Sequence, residues 1–209
     1  MNSLGSENNK IKMAGEIVSD LEFSHEVYGE KFYTFKLETK RLSENTDIIP
    51  IMISEKFFPS INIEVGKFVL IGGQFRSYNN FTAVGSKLML TVFVRDIEEA
   101  DDLCDYASSN NVYLNGYICK EPVYRTTPFG REIADILLAV NRAYNKSDYI
   151  PCIAWGRNAK YASALSVGDN ISVWGRVQSR EYQKKISEEE VENRVAYEVS
   201  ISKMELNEE

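Results

Sequence analysis

The second half of this chain repeats the first, and that repeat constrains the fold more than any other feature of its 209 residues. At a shift of 101 positions, Gly15 and Ile17 meet Gly116 and Ile118, Gly29 meets Gly130, and Leu37 and Arg41 meet Leu138 and Arg142. Asp47, Ile49 and Pro50 fall on Asp148, Ile150 and Pro151 at the same shift. The shift becomes 102 where Val65-Gly66, Gly73 and Ser77 meet Val167-Gly168, Gly175 and Ser179. It reaches 107 at the end of each half, where KLMLTVFVRDIE lies against RVAYEVSISKME. Glycines matched at fixed spacing over a whole half mark a tandem domain duplication. The period is far too long for a solenoid of short repeats.

Each half reads as five strands with one short helix after the third. In the first half the strands are expected near 10–18, 31–41, 47–54, 68–77 and 87–97. In the second they are expected near 111–119, 131–142, 148–155, 170–182 and 194–204. Between strands three and four, RNAKYASALSVG sets Ala159, Ala162 and Leu165 at helical spacing, with Gly168 as a stop. The matching EKFFPSINIEVG contains Pro59, which shortens any helix there. The fourth strand alternates, with Ile171, Val173, Gly175 and Val177 inward and Ser172, Trp174, Arg176, Gln178 and Arg180 outward. Gly73 and Gly175 suit a sharp bend where a small barrel closes. The expectation is an all-β chain of two tandem five-stranded OB-fold barrels, a plan whose strand face and loops bind oligonucleotides or sugars. The divisions expected are a polar tail over residues 1–9, a barrel over 10–98, an acidic linker over 99–110 and a second barrel over 111–209.

Charge is distributed unevenly over these divisions. The whole chain carries a net charge of −7. Residues 1–105 hold 11 basic and 17 acidic side chains, a net of −6, and residues 187–209 hold 2 and 8, also −6. Residues 106–186 hold 11 basic and 6 acidic, a net of +5. Segregation of this kind points to a local anion-binding face on an acidic protein. No apolar run is long enough to span a membrane, and the polar start MNSLGSENNK lacks a signal segment, so a cytoplasmic protein is expected. Cys104, Cys119 and Cys152 are widely spaced without a CxxC and read as reduced thiols. His25 is the single histidine, which removes most histidine catalysis and metal chemistry.

The basic block contains the stretch ADILLAVNRAYNKSDYIPCIAWGR, Ala134 to Arg157, read as two strands and a polar loop. Ala134, Ile136, Leu138 and Val140 form one apolar face of the first strand. On the second strand Tyr149, Pro151, Ile153 and Trp155 share one face and Ile150, Cys152 and Ala154 the other. With the latter set in the core, Tyr149 and Trp155 point outward, separated by ~20 Å at most. Tyr144 lies in the loop, and Arg142, Lys146 and Arg157 stand between or beside the rings. Flat rings interleaved with cations make a platform for single-stranded nucleic acid. These residues alone leave a second reading open, in which both rings belong to the core of a two-sided strand.

Asn111 to Met204 resembles the bacterial single-stranded DNA-binding proteins. The elements that carry the resemblance are GYICKEPVYRTTPFGREIADILLAVNR, SDYIPCIAWGRNAKYASAL and VGDNISVWGRVQSREY, in that order. The resemblance implies base stacking on Tyr144, Tyr149, Trp155 and Tyr182, the four places where the family carries aromatic side chains. It puts Arg157 and Arg180 where the family tends to carry basic residues, with Lys184 and Lys185 beside them; Arg142, Lys146 and Arg176 complete the phosphate-contacting set. Trp174 receives no role from it. At the equivalent places the first half has Ser43, Ile48, Ser54 and Asn80 or Phe81, so a degenerate packing or assembly domain is expected there. Arg76, Tyr78 and Phe81 keep a weaker DNA role open. Family members assemble four OB domains, which a chain with two reaches as a homodimer. They also carry an acidic tail with a hydrophobic tip that recruits proteins; MELNEE follows the last strand directly here, so that docking is not expected.

Paired carboxylates, nucleophile–base pairs and phosphate loops are not found. SEEEVEN, residues 187–193, reads as a solvated loop tip, and Gly72-Gly73 has no Walker pattern around it. The expectation is therefore a binder without cofactor or metal: sequence-tolerant coating of single-stranded DNA in replication, repair or recombination. The rival is an OB-fold assembly module that contacts a replication or recombination protein and barely touches DNA.

Overall fold

Alternating burial along nearly every strand sets the architecture of this computed structural model, which describes residues 8–41, 43, 45–82, 85–100, 110–185 and 191–207. The first half contains β1 (Asn9–Ile17), β2 (Glu22–Val27), β3 (Glu30–Lys40), β4 (Thr46–Ser54), β5 (Phe68–Thr82) and β6 (Gly85–Glu99). The second contains β7 (Asn110–Thr126), β8 (Glu132–Arg142), β9 (Lys146–Trp155), β10 (Asn170–Lys185) and β11 (Val191–Leu206). Each half closes on itself. β1 pairs with both β5 and β3, and β4 runs parallel to β6. In the second half β7 pairs with β8 and β10, and β9 runs parallel to β11. These are the two barrels of an all-β OB-fold chain.

A single 3-10 turn, Glu55–Phe57, follows β4, while α1 (Arg157–Ala162) follows β9. Pro59 accounts for the shorter form. Ala159, Ala162 and Leu165 are buried as their spacing predicts, although Leu165 lies beyond the end of α1. Gly73 and Gly175 sit at register shifts of β5 against β6 and of β10 against β11. A Cβ at either would lie 2.2 Å from the Phe93 carbonyl oxygen or 2.1 Å from that of Ser200, so the bend admits only glycine.

Three expectations need correction. β2 was not anticipated: its six residues are all exposed, so EFSHEV offers no buried face to read. A left-handed turn at Tyr28 and Gly29 (φ 49° and 80°) folds it back on β3 instead. Ser172 and Gln178, expected outward, are buried. Asn115, Tyr113 and Asn207 lie within hydrogen-bonding distance of the Ser172 hydroxyl, and Gln178 donates to Glu198 at 2.8 Å. Ile153, expected on the outward face with the rings, is also buried.

The two halves meet by antiparallel pairing of β1 with β7, which makes one eleven-stranded sheet. Ile11 pairs with Val112, its own duplicate at the shift of 101, while Asn9 pairs with Leu114 and Met13 with Asn110. A pseudo-two-fold axis therefore passes through the Ile11–Val112 pair. The same symmetry relates buried polar clamps. Asn9 bonds both backbone groups of Phe75 (2.7 and 2.9 Å), and Asn110 does the same to Val177. Asp47 accepts from the Ser179 amide across the seam at 2.7 Å, and Asp148 from the Ser77 amide at 2.8 Å. Of the tail expected over 1–9 and the linker over 99–110, residues 1–7 and 101–109, with Cys104, lie outside the described residues. So do residues 187–190 of the acidic loop. Cys119 and Cys152 carry free thiols, and burial raises both above the usual thiol range. Among the described residues no helix is long and apolar enough to cross a membrane.

Candidate nucleic-acid interface

The β8–β9 hairpin positions the rings. Ile133, Ala134, Ile136, Leu138 and Val140 of β8 are buried, as are Ile150, Cys152 and Ala154 of β9, and this anchors the hairpin to the core. Tyr149 and Trp155 consequently face outward, 45% and 36% exposed. The Tyr149 amide donates to the Ser77 hydroxyl of the first half at 2.7 Å, and Trp155 Nε1 donates to Ser200 Oγ at 3.2 Å. Tyr144 sits in the loop with φ 61°, followed by Asn145 at 53°. Left-handed backbone costs a non-glycine residue roughly 1–2 kcal/mol, and here it turns the Tyr144 ring almost fully into solvent, 94% exposed. Tyr182, on β10 beyond the barrel body, is 37% exposed, with the Arg180 guanidinium 5.8 Å from its ring centre. All four rings are at the surface, not in the core.

The cations divide into two groups. Lys146 and Arg157 are exposed, and Arg180 is half-exposed, 3.6 Å from Glu198. Arg142 and Arg176 are turned toward the seam. Arg142 lies 3.5 Å from Asp148, and Arg176 lies 3.7 Å from Asp47 of the first half while donating to Gln178. Burial, with Arg41 adding repulsion, lowers the Arg176 guanidinium below its usual range. The side chains of Lys184 and Lys185 lie outside the described part of the structure. Trp174 packs against Tyr113, centres 5.2 Å apart, under the Lys203 ammonium at 4.5 Å.

The duplicated aspartates differ. Burial opposes the charge of Asp47, but hydrogen bonds from Arg41 at 2.6 and 2.7 Å and from the Ser179 amide hold it below the usual carboxylate range. For Asp148 burial wins: it lies above that range despite Ser77, Arg142 and Arg76, and its Oδ2 has no hydrogen-bond partner.

In the first half, Ile48 is exposed, whereas Ser54 is buried, donates to Glu30 and accepts from the Lys56 amide. Neither supplies a ring. Sequence reasoning named Arg76 in this half but missed the group around it. Arg76 lies 3.9 Å over the ring of Phe93, Arg95 is 5.2 Å from the same ring, and Phe32 and His25 continue the stack. The signal was present in the alignment at 107, where Phe93 and Arg95 replace Ser200 and Ser202. Among the described residues no group of three or more His, Cys, Asp or Glu is placed to hold a metal ion.

The barrel that carries these rings is similar to known proteins. Residues 109–207 match the Single-strand binding protein family. That match spans the second half of the chain. The chain is 41% identical over 81 residues to Single-stranded DNA-binding protein 1 of Staphylococcus aureus, covering 35% of this chain and 48% of that protein. It is 38% identical over 81 residues to Single-stranded DNA-binding protein A of Bacillus subtilis, covering 35% and 47%. The chain thus spans about half the length of the curated relatives it matches. The crystal structure of the single-stranded DNA binding protein from Thermus aquaticus superposes with a TM-score of 0.74 at 18% identity, covering 96% of this chain and 93% of that one. That likeness extends the shared fold over both halves.

Proposed function

We propose that this protein binds single-stranded DNA without strong sequence preference, mainly through its second barrel. The observation that carries the reading is the exposure of Tyr144, Tyr149, Trp155 and Tyr182 on a barrel that matches the single-strand binding family. Bases stack on these rings, each contact being worth ~1–3 kcal/mol and tolerant of sequence because every base has a flat face. Lys146, Arg157 and Arg180, with Lys184 and Lys185, meet phosphates directly, while Arg142 and Arg176 contribute at the seam. The role is to cover exposed strands in replication, repair or recombination. The protein acts as a binder and not an enzyme, in the cytoplasm, and as a homodimer that brings four barrels together.

Tryptophan fluorescence tests the site. The chain has two tryptophans, and Trp174→Phe leaves Trp155 as the sole reporter. Titration of this variant with oligo-dT quenches its emission. Adding Tyr149→Ala weakens binding by ~1–3 kcal/mol. Binding without quenching, and with unchanged affinity in the Tyr149→Ala variant, would overturn the platform.

A further inference from the structure

A groove of about 1040 Å³ runs along one side of the seam. Its lining carries Lys10, Lys12, Arg76 and Arg95 from the first half and Arg142 and Lys146 from the second, against one carboxylate, Asp96. Of the six cations only Arg142 is ion-paired among the described residues, with the buried Asp148. The exposed Tyr144 of the β8–β9 loop also lines the groove, so it is continuous with the ring surface of the second barrel.

The duplication supplies an internal control. The duplicates of Lys10, Lys12, Arg76 and Arg95 are Asn111, Tyr113, Gln178 and Ser202, all uncharged. On the other side of the pseudo-two-fold axis, the counterpart groove holds about 420 Å³ and three cations, Lys40, Arg41 and Arg176. The groove of the Tyr144 loop thus carries twice as many cations as its counterpart. Like charges confined in a cleft repel one another and focus a field suited to a polyanion. The burial and mutual repulsion that push Arg76 down to about 10 are the mark of such crowding. Arg76 and Arg95 flank Phe93, which lines an adjoining pocket that shares Arg76 and Arg142 with the groove, so two guanidinium groups stand beside a ring at this end.

We infer that this seam groove is a second binding segment for the same single strand of DNA, carrying it from the Tyr144 loop onto Arg76, Arg95 and Phe93 of the first barrel. The inference rests on the proposed strand binding by the second barrel. It gives the first barrel a place in DNA binding through groups unrelated by position to Tyr149 and Trp155.

The test compares two oligonucleotides on the intact chain: dT of about 8 nucleotides, within the ~4–16 covered by one OB fold, and dT of about 30. One variant combines Lys10→Ala, Lys12→Ala and Arg95→Ala, all exposed positions; Arg95→Glu alone serves as the second variant. The ring variant Tyr149→Ala/Trp155→Ala is measured beside them. Removing three phosphate contacts should flatten the log affinity–log salt slope for the long strand by about 2, from ~0.7 per contact. Affinity for the long strand should fall at least about tenfold at low salt, as expected from that slope, while the short strand keeps its affinity. Unchanged slope and affinity in both seam variants, with binding lost in the ring variant, would overturn the seam and leave the second-barrel reading standing. Loss in the seam variants with none in the ring variant would do the reverse. If all variants bind as the parent does, both readings fall.

Discussion

At the scale of single residues, Asp47 and Asp148 are duplicates with opposite electrostatic outcomes. Asp47 is held charged by Arg41, and its lowered value makes it a stabilising group above the ordinary aspartate value of about 4, an effect lost as pH falls below that. Asp148 is raised, so the folded state binds a proton more tightly than the unfolded one. Stability from this group is lost as pH climbs from about 4 through its raised value. Asp47→Asn should therefore cost ~1.5–3 kcal/mol at neutral pH, the range for hydrogen bonds to charged groups. Asp148→Asn should cost less, because Asn Oδ1 still accepts from Ser77 and no buried charge remains to be desolvated. Thermal unfolding of both variants between pH 4 and 8 checks this. Equal losses across the range would show that the Arg142 and Arg76 charges outweigh burial at Asp148.

At the scale of elements, the strands with one buried face were legible and the others were not. β8 and β9 could be read because Ala134, Ile136, Leu138 and Val140, and Ile150, Cys152 and Ala154, recur at every second position, which put Tyr149 and Trp155 outward although Ile153 on their face is buried. β2 could not, because no residue of it is buried and it is held by its turn and by pairing with β3. Ser172 and Gln178 misled because a strand's outward face is outward only if nothing covers it, and here β7, β11 and the residue after β11 do. The Phe93 group escaped because rings were sought where the second half has them. The bend in β10 gives a prediction at this scale. Gly175→Ala would drive a methyl into the Ser200 carbonyl, and overpacking of this kind costs roughly 1–3 kcal/mol. Denaturant unfolding measures it, and an unchanged midpoint would mean that β10 and β11 can slide apart without loss.

At the scale of the whole molecule, two barrels per chain make the proposed homodimer a four-barrel assembly. Sedimentation equilibrium should return twice the 23.8 kDa chain mass at micromolar concentration; a monomer throughout would remove the idea. The pseudo-two-fold axis at Ile11–Val112 has a deeper effect than holding the barrels together. When two identical chains meet about a symmetry axis, each substitution at the interface is made twice, and no feature can be introduced on one side alone. Here both sides are written in one chain. Lys12 can face Asn111 while its own duplicate, Tyr113, packs on Trp174. The two faces are thus released from having to agree, and travelling across the seam in one direction is no longer the same as travelling in the other.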